Sequence, residues 1–394
     1  MRRRGDRSSS VDGVGMFITR KTIQVTRSPT VKSSRRSPGS RSGDIPALGQ
    51  AMSTLLGTLV AVRRVLLAVA LSALVAVATA AARPPAARSY LDHALGLMRS
   101  EAVVTPTEGW PSLMRNAHRM AAKARTDAQT YGAIIYATGA LYQAGDVHAR
   151  FTNPFMAKLA AQAAKSTGTT STPPSIAPLE GGKVRLLTLP AIGSAPNTPN
   201  ARRYETAALT AISAAEAAHA PCGWIIDLRQ NTGGDMYPML LGIGPILGEG
   251  NVIGFRSRTG FDGYVSYNDG VLSVGKEKFA APRVVPDLTP APPVALLTGG
   301  STLSSGEAVL VAFHGRAGVR SFGAPTGGAP TSPRTYRLSD GATVSFSVAD
   351  DVDRTGAAYI GPITPDQPVA SVPQSDTISA AEQWLLATPS CTAG

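Results

Sequence analysis

Residues 293–307 read PVALLTGGSTLSSGE. Val294, Ala295, Leu296 and Leu297 are apolar in succession, the pattern of a strand buried on both faces. Gly299-Gly300 turns the chain, and Ser304-Ser305-Gly306-Glu307 leads into AVLVAF, which reads as the first turns of a helix. A serine at a strand–turn–helix junction lies among free backbone N–H groups, where the helix dipole favours negative charge. A nucleophilic serine and its oxyanion need that environment. Ser followed three residues later by Glu is also a capping box, and taken alone the string favours a plain helix N-cap.

The sequence on either side supplies a sheet for this strand. KVRLLTLPAI, from Lys183, reads as a strand, and Ala201 to Ala220 as an Ala-rich helix. Gly223 to Arg229 is a second buried strand, followed by the tight turn Asn231-Thr232-Gly233-Gly234-Asp235 and a helix from Met236 to Leu247. Strand and helix alternating across short turns imply right-handed crossovers and a parallel sheet. Val252 to Val274 alternates apolar and polar residues and reads as antiparallel hairpins. Val319 to Phe322 is a further strand. Thr335 to Leu338 and Ala342 to Val348 pair across Ser339-Asp340-Gly341, and Ile378 to Ala387 closes the chain as a helix. Upstream, residues 83–150 carry apolar residues at three- and four-residue spacing and read as a small helical cap. Residues 151–182 hold a short helical piece and a Ser/Thr/Pro/Gly-rich run that reads as a flexible loop or lid. The expected architecture is α/β, with a core over 183–394 made of a parallel sheet plus β-hairpins.

Charge separates the leader from this core. The chain has 394 residues and a net charge of +12. Residues 1–82 carry 13 Lys+Arg against 3 Asp+Glu, which leaves 25 against 23 of the totals of 38 and 26 for the remainder. A nucleic-acid footprint needs its positive charge on a folded face, so nucleic-acid binding is not expected. Residues 1–51 have the composition of a disordered basic leader. Residues 52–82 place Arg63-Arg64 before an apolar run from Val65 to Ala82 that ends in small residues. That is the layout of a secretory signal peptide cleaved after Ala80 or Ala82, with an uncleaved membrane anchor as the alternative. Met52 is then the expected start, and the working part is expected outside the cytoplasm, periplasmic or secreted. Contact with a membrane is expected only through this N-terminal segment. Cys222 and Cys391 are the two cysteines. They form no metal-ligand spacing, and in an exported chain they permit one disulfide that the sequence leaves open. No cofactor or metal is called for, and the oligomeric state is not legible.

Ligand sites in open α/β sheets lie beyond the carboxyl ends of the strands, which puts the Gly233-Gly234 turn beside Ser304. The N–H of Ser305 and one from Gly233 or Gly234 could hold an oxyanion, though consecutive glycines also serve any turn that needs positive φ. Serine attack needs a base. His93 and His118 fall within cap helices, His219 ends a helix, and His314 lies ten residues after Ser304 on the same helix, about 15 Å along it. His148, in a loop between cap and core, is left by elimination. A lysine base downstream is excluded, because the last lysine is Lys278.

Three blocks of residues 183–370 together resemble the C-terminal processing (tail-specific) peptidase family: IIDLRQNTGG, LSSGEAVLVAFHGRAGVRSFGAPTGG, and LSDGATVSFSV followed by IGPITPDQPV. The resemblance implies a crotonase/ClpP-like core, with Ser304 as the nucleophile at the head of S-x-x-E and Glu307 as the matching glutamate. Ala329 stands where the Ser/Lys branch has its lysine. The chain is therefore similar to the Ser/His branch, which includes tricorn-core and nisin-resistance-type peptidases. In that branch an Asp-x-His segment supplies the histidine, and Asp146-Val147-His148 matches it. The reading is an exported serine endopeptidase that cleaves peptides or protein C-terminal tails. Ser304, His148 and Glu307 are expected in the catalytic group, and Ser305, Gly233 and Gly234 at the oxyanion. Asp146, Glu307, Asp350, Asp351 and Asp353 are all candidates for orienting His148. The alternative is a non-catalytic module on the same fold that binds a peptide or an apolar ligand. An esterase lacks support, because no G-x-S-x-G surrounds Ser304.

Overall fold

The computed structural model describes residues 86–166, 171–282, 285–370 and 374–392. The expected leader, signal segment and first residues of the cap lie outside them. Three helices open the described chain: α1 (Ala86–Glu101), α2 (Trp110–Met120) and α3 (Tyr131–Gln143). Their apolar stripes converge on Leu91, Leu95, Met98, Leu113, Ile134 and Leu141, all buried. After α3 the chain makes a tight turn through Gly145 and enters a short strand, β1 (Arg150–Thr152). A helix, α4 (Pro154–Ser166), follows.

The core is built on two sheets. The first is six-stranded. Its members are β2 (Ser175–Pro178), β3 (Val184–Thr188), β4 (Gly223–Asp227), β9 (Val294–Thr298), β10 (Val319–Gly323) and β13 (Gln367–Pro368). Their order is β13-β10-β9-β4-β3-β2, parallel except at the β2 edge. β4 and β9 are neighbours, as the chain's alternation of strands and helices requires. Every residue of β9 is buried, which accounts for its unbroken apolar run. The Ser/Thr/Pro-rich stretch read as a loop differs from expectation: part of it, Ser175–Pro178, adds to the sheet edge antiparallel to β3. An edge strand needs ladder bonds on one side only, so Pro178 is tolerated there and no apolar alternation marks it.

The second sheet is seven-stranded and antiparallel throughout. Its path is β1, β12 (Thr343–Val352), β5 (Gly250–Ser257), β6 (Gly260–Asn268), β7 (Val271–Val274) and β8 (Glu277–Ala280), with β11 (Thr331–Arg337) also on β12. β11 and β12 are both longer than the pattern predicts.

Helices α5 (Pro199–Ala218), α6 (Met236–Gly242), α7 (Gly244–Leu247) and α8 (Ser305–Phe313) bury their apolar residues with both sheets in one cluster. The other face of the parallel sheet is covered by α9 (Gln374–Leu386), through Ala381, Leu385 and the partly buried Trp384. A last turn of helix, α10 (Pro389–Thr392), carries Cys391, which is bonded to Cys222 just ahead of β4. The cap helices pack on the antiparallel sheet through Val344, Phe346 and Val348 of β12.

Candidate active site

The carboxyl ends of β4 and β9 are laced together. Leu228 N–H donates to the Leu297 carbonyl at 3.0 Å, Thr302 Oγ1 to the Leu228 carbonyl at 2.8 Å, and Leu303 N–H to the Asn231 carbonyl at 3.0 Å. Asp227 and Arg229 form a bidentate pair, with the Arg229 Nη2 to Asp227 Oδ2 contact at 2.6 Å, that shapes the strand end rather than reaching Ser304. A Cβ on Gly306 would sit 2.5 Å from the Asn231 carbonyl oxygen, so only glycine lets α8 start this close to the β4 turn. Ser304 precedes α8 with φ 54° and ψ −120°, a backbone region that L side chains rarely occupy. Strain of this kind collects where surrounding structure forces a side chain into a required position.

Ser304 Oγ lies 3.1 Å from His148 Nε2, across 156 residues of chain. His148 reaches it because β1 pairs antiparallel with β12, Arg150 opposite Ser345 and Phe151 opposite Val344. The other ring nitrogen, Nδ1, faces two hydroxyls, Thr331 Oγ1 and Ser347 Oγ, each at 3.2 Å. Ser347 Oγ donates to Asp146 Oδ1 at 2.7 Å, and Ser347 N–H donates to Asp146 Oδ2 at 2.8 Å. His148 N–H also donates to Asp146 Oδ1, at 3.1 Å. Of the five carboxylates that could orient His148, Asp146 is the one linked to it, through Ser347. Burial lowers the pKa of His148; the charge of Asp146 opposes that shift and Arg150 adds to it.

Glu307 is placed differently from expectation. It is fully buried and does not touch His148. Its carboxylate accepts from the N–H groups of Ser304 at 2.9 Å, Gly328 at 2.9 Å and Ala329 at 2.7 Å, and from the Thr326 hydroxyl. Burial pushes its pKa up and these four donors pull it back. The carboxylate ties the Thr326–Ala329 turn to the head of α8, a structural clamp rather than a proton carrier. Ala329 N–H thus bonds the same carboxylate from the position where the Ser/Lys branch has its lysine.

The two glycines also part company. Gly233 N–H is committed to Asn231 Oδ1 at 2.9 Å. Gly234 N–H and Ser305 N–H donate to no group among the described residues, and Ser305 Oγ bridges back to the Gly234 carbonyl at 2.8 Å. Gly233 is needed for room: a Cβ there would meet Ser304 Cβ at 2.9 Å and the Leu303 carbonyl oxygen at 2.7 Å. His314 caps the far end of α8 and bonds Tyr359 at 2.7 Å, away from Ser304. Sequence reasoning missed Ser347 and Thr331. For Ser347 the one signal is a serine alternating with apolar residues in the run 344–348, and Thr331 carries none. Among the described residues no cluster of His, Cys, Asp and Glu could hold a metal ion.

Residues 187–369 match the profile of peptidase family S41. Over those residues the chain is similar to peptidase family S41. A 166-residue stretch is 30% identical to the nisin-resistance protein of Lactococcus lactis subsp. lactis, covering 41% of this chain and 49% of that protein. The chain thus spans about half the length of that relative. A lipoprotein from Streptococcus agalactiae superposes with a TM-score of 0.58 at 22% identity, over 76% of this chain and 98% of that one. The photosystem II D1 C-terminal processing protease does so with a TM-score of 0.51 at 15% identity, over 78% and 98%. These two likenesses show a shared fold. Among the described residues no helix is long and apolar enough to cross a membrane.

Proposed function

We propose that this chain is a serine peptidase of the Ser/His type that works outside the cytoplasm on peptides or protein C-terminal tails. The observation that carries the reading is the 3.1 Å approach of His148 Nε2 to Ser304 Oγ. With the Nδ1 proton held toward Ser347 and Thr331, Nε2 is the free base that serine attack requires. Ser304 Oγ bonds to the substrate carbonyl carbon while its proton passes to Nε2. The carbonyl electron pair moves onto oxygen, within reach of the unengaged N–H groups of Ser305 and Gly234. His148 then gives the proton to the departing amine, leaving an acyl-enzyme, and a water activated by the same nitrogen hydrolyses it. Each oxyanion donor of this kind is worth about 3–4 kcal/mol in the transition state. Two of them together with one base fit the scale of peptide-bond chemistry.

Export is supported by the signal-like segment 52–82 and by the Cys222–Cys391 bridge, which persists in oxidising compartments. The names of the nisin-resistance protein and the streptococcal lipoprotein agree with such a setting. The test compares the full chain with Ser304→Ala on a mixture of unstructured peptides with varied C-termini, read by mass spectrometry. Products are expected from the unmodified chain alone, with the variant's circular dichroism and melting unchanged. A variant that still cleaves would show that the nucleophile is another residue.

A further inference from the structure

Beside Ser304 the surface opens into a recess of about 170 Å³, the scale of a single side chain rather than of a drug-sized ligand. Gly234, Ser304 and Ser305 are among its lining residues, so a side chain attached next to a carbonyl held at Ser304 has this recess beside it. Tyr237 and Phe255 supply apolar wall, and the carboxylates of Asp235 and Asp351 both line it. We propose, on the peptidase reading above, that this recess is the subsite for the residue on the amino side of the cut bond, and that it takes lysine or arginine.

The argument rests on what Asp351 lacks. It is 2% exposed, yet its one side-chain contact is Ser332 Oγ, 3.5 Å from Oδ1. Oδ2 accepts from nothing among the described residues. The neighbouring carboxylates are different: Asp353 accepts from Thr355 N–H at 2.8 Å, Thr355 Oγ1 at 2.7 Å and Tyr359 OH at 2.8 Å, and Asp146 is fully engaged as described above. Carboxylate oxygens in so enclosed a place ordinarily find donors, so one that lacks them while lining an open recess calls for a group that enters from that recess. Asp235 spends Oδ1 on capping α6 through Tyr237 N–H at 3.0 Å, and leaves its second oxygen without a donor among the described residues.

No basic side chain lines the recess. Burial, with the charges of Glu307 and Asp350 added, pushes the Asp351 carboxyl up to about 8. Burial pushes Asp235 up to about 6. An ammonium or guanidinium between them would supply the missing donors and the opposite charge. The aliphatic stem of lysine or arginine would lie along Tyr237 and Phe255. Sites built to bond a charged group reject the isostere that lacks it far more strongly than apolar sites reject a missing methylene.

The test uses two peptides identical except for lysine or norleucine at the residue whose carbonyl is attacked, with an arginine peptide as a third. A fluorophosphonate label on Ser304 runs in parallel. The ratio of kcat/KM for lysine over norleucine is expected to be at least about tenfold in the unmodified chain, and to collapse toward one in Asp351→Asn. A general loss of fold or activity in the variant would lower both peptides together and leave the ratio standing. Preference for norleucine in the unmodified chain, or a ratio unchanged in Asp351→Asn, would overturn the subsite and leave the peptidase reading intact. Absence of both cleavage and labelling would overturn the two together.

Discussion

The proton on His148 Nδ1 determines whether Nε2 can accept from Ser304. Two hydroxyls lie 3.2 Å from Nδ1, and one of them, Ser347, gives its own proton to Asp146 Oδ1 at 2.7 Å. Its lone pairs are therefore turned to the ring, which selects the tautomer with hydrogen on Nδ1. Asp146 acts on the histidine through Ser347, as a positioning residue. Ser347→Ala is expected to lower kcat by about 10- to 100-fold with KM little changed, since the ring keeps Thr331 but loses the oriented acceptor. A matched fall in kcat and rise in KM would point to simple misfolding of β12. The same geometry sets a pH limb. On the proposed mechanism the neutral ring is the working form; burial lowers its pKa, Asp146 raises it in part and Arg150 lowers it further. Activity should thus persist as pH falls through the ordinary histidine value of about 6.5 and decline only below it. In Asp146→Asn, with the raising charge gone, the acid limb of kcat/KM should move to still lower pH. A limb at or above about 6.5 in the unmodified chain would contradict this account of the environment.

At the scale of elements, the head of α8 joins a helix cap to the serine proposed as the nucleophile. The S-x-x-E string was open between the two readings, and Glu307 does cap, by accepting from Ser304 N–H. It also gathers Gly328, Ala329 and Thr326, so a single buried carboxylate fixes the turn after β10 against the helix that carries the serine. Glu307→Ala would strand these donors in the interior. A loss of about 2–4 kcal/mol in unfolding free energy is expected, measured by denaturant titration, with kcat lowered although Glu307 never touches His148. Stability equal to the parent would mean that water replaces the carboxylate freely. The central strands and the serine helix were legible because each carries a local signature: an apolar run, a glycine turn, a capping box. Ser347 was not, because β12 is buried along nearly all its length and period-two alternation of burial disappears there, and Thr331 was not, because it starts β11 ahead of the stretch whose pattern reads as a strand. The meaning of Ser347 comes only from Asp146, 201 residues away in sequence. Glu307 was listed with the catalytic group from its motif, and its cap on Ser304 N–H follows from the S-x-x-E spacing; its bonds to Thr326, Gly328 and Ala329 are tertiary facts that no spacing records.

Across the whole molecule, the candidate pair is divided between two hydrophobic clusters. His148 follows the cap helices, Ser304 begins a helix of the two-sheet core, and β12 joins them. Val344, Phe346 and Val348 pack with the cap, while Ala349 packs in the core cluster. The third cluster, under α9, touches neither residue, yet it closes the back of the sheet whose front holds the serine. The Cys222–Cys391 bridge bears on that third cluster. It joins positions 169 apart and holds the end of the chain beside the start of β4, against which α9 is laid. A loop of that length removes much entropy from the unfolded chain, worth about 2–5 kcal/mol in the range seen for native bridges. In a domain of this size that corresponds to a fall in Tm of roughly 5–15 °C for Cys391→Ser. Because the bridge acts from the far side of the sheet, kcat measured well below the melting transition should stay near the parent value while Tm falls. An unaltered Tm, with both thiols reactive to alkylating reagent in the native protein, would show that the bridge does not form in solution and would remove one support for a site of action in an oxidising compartment.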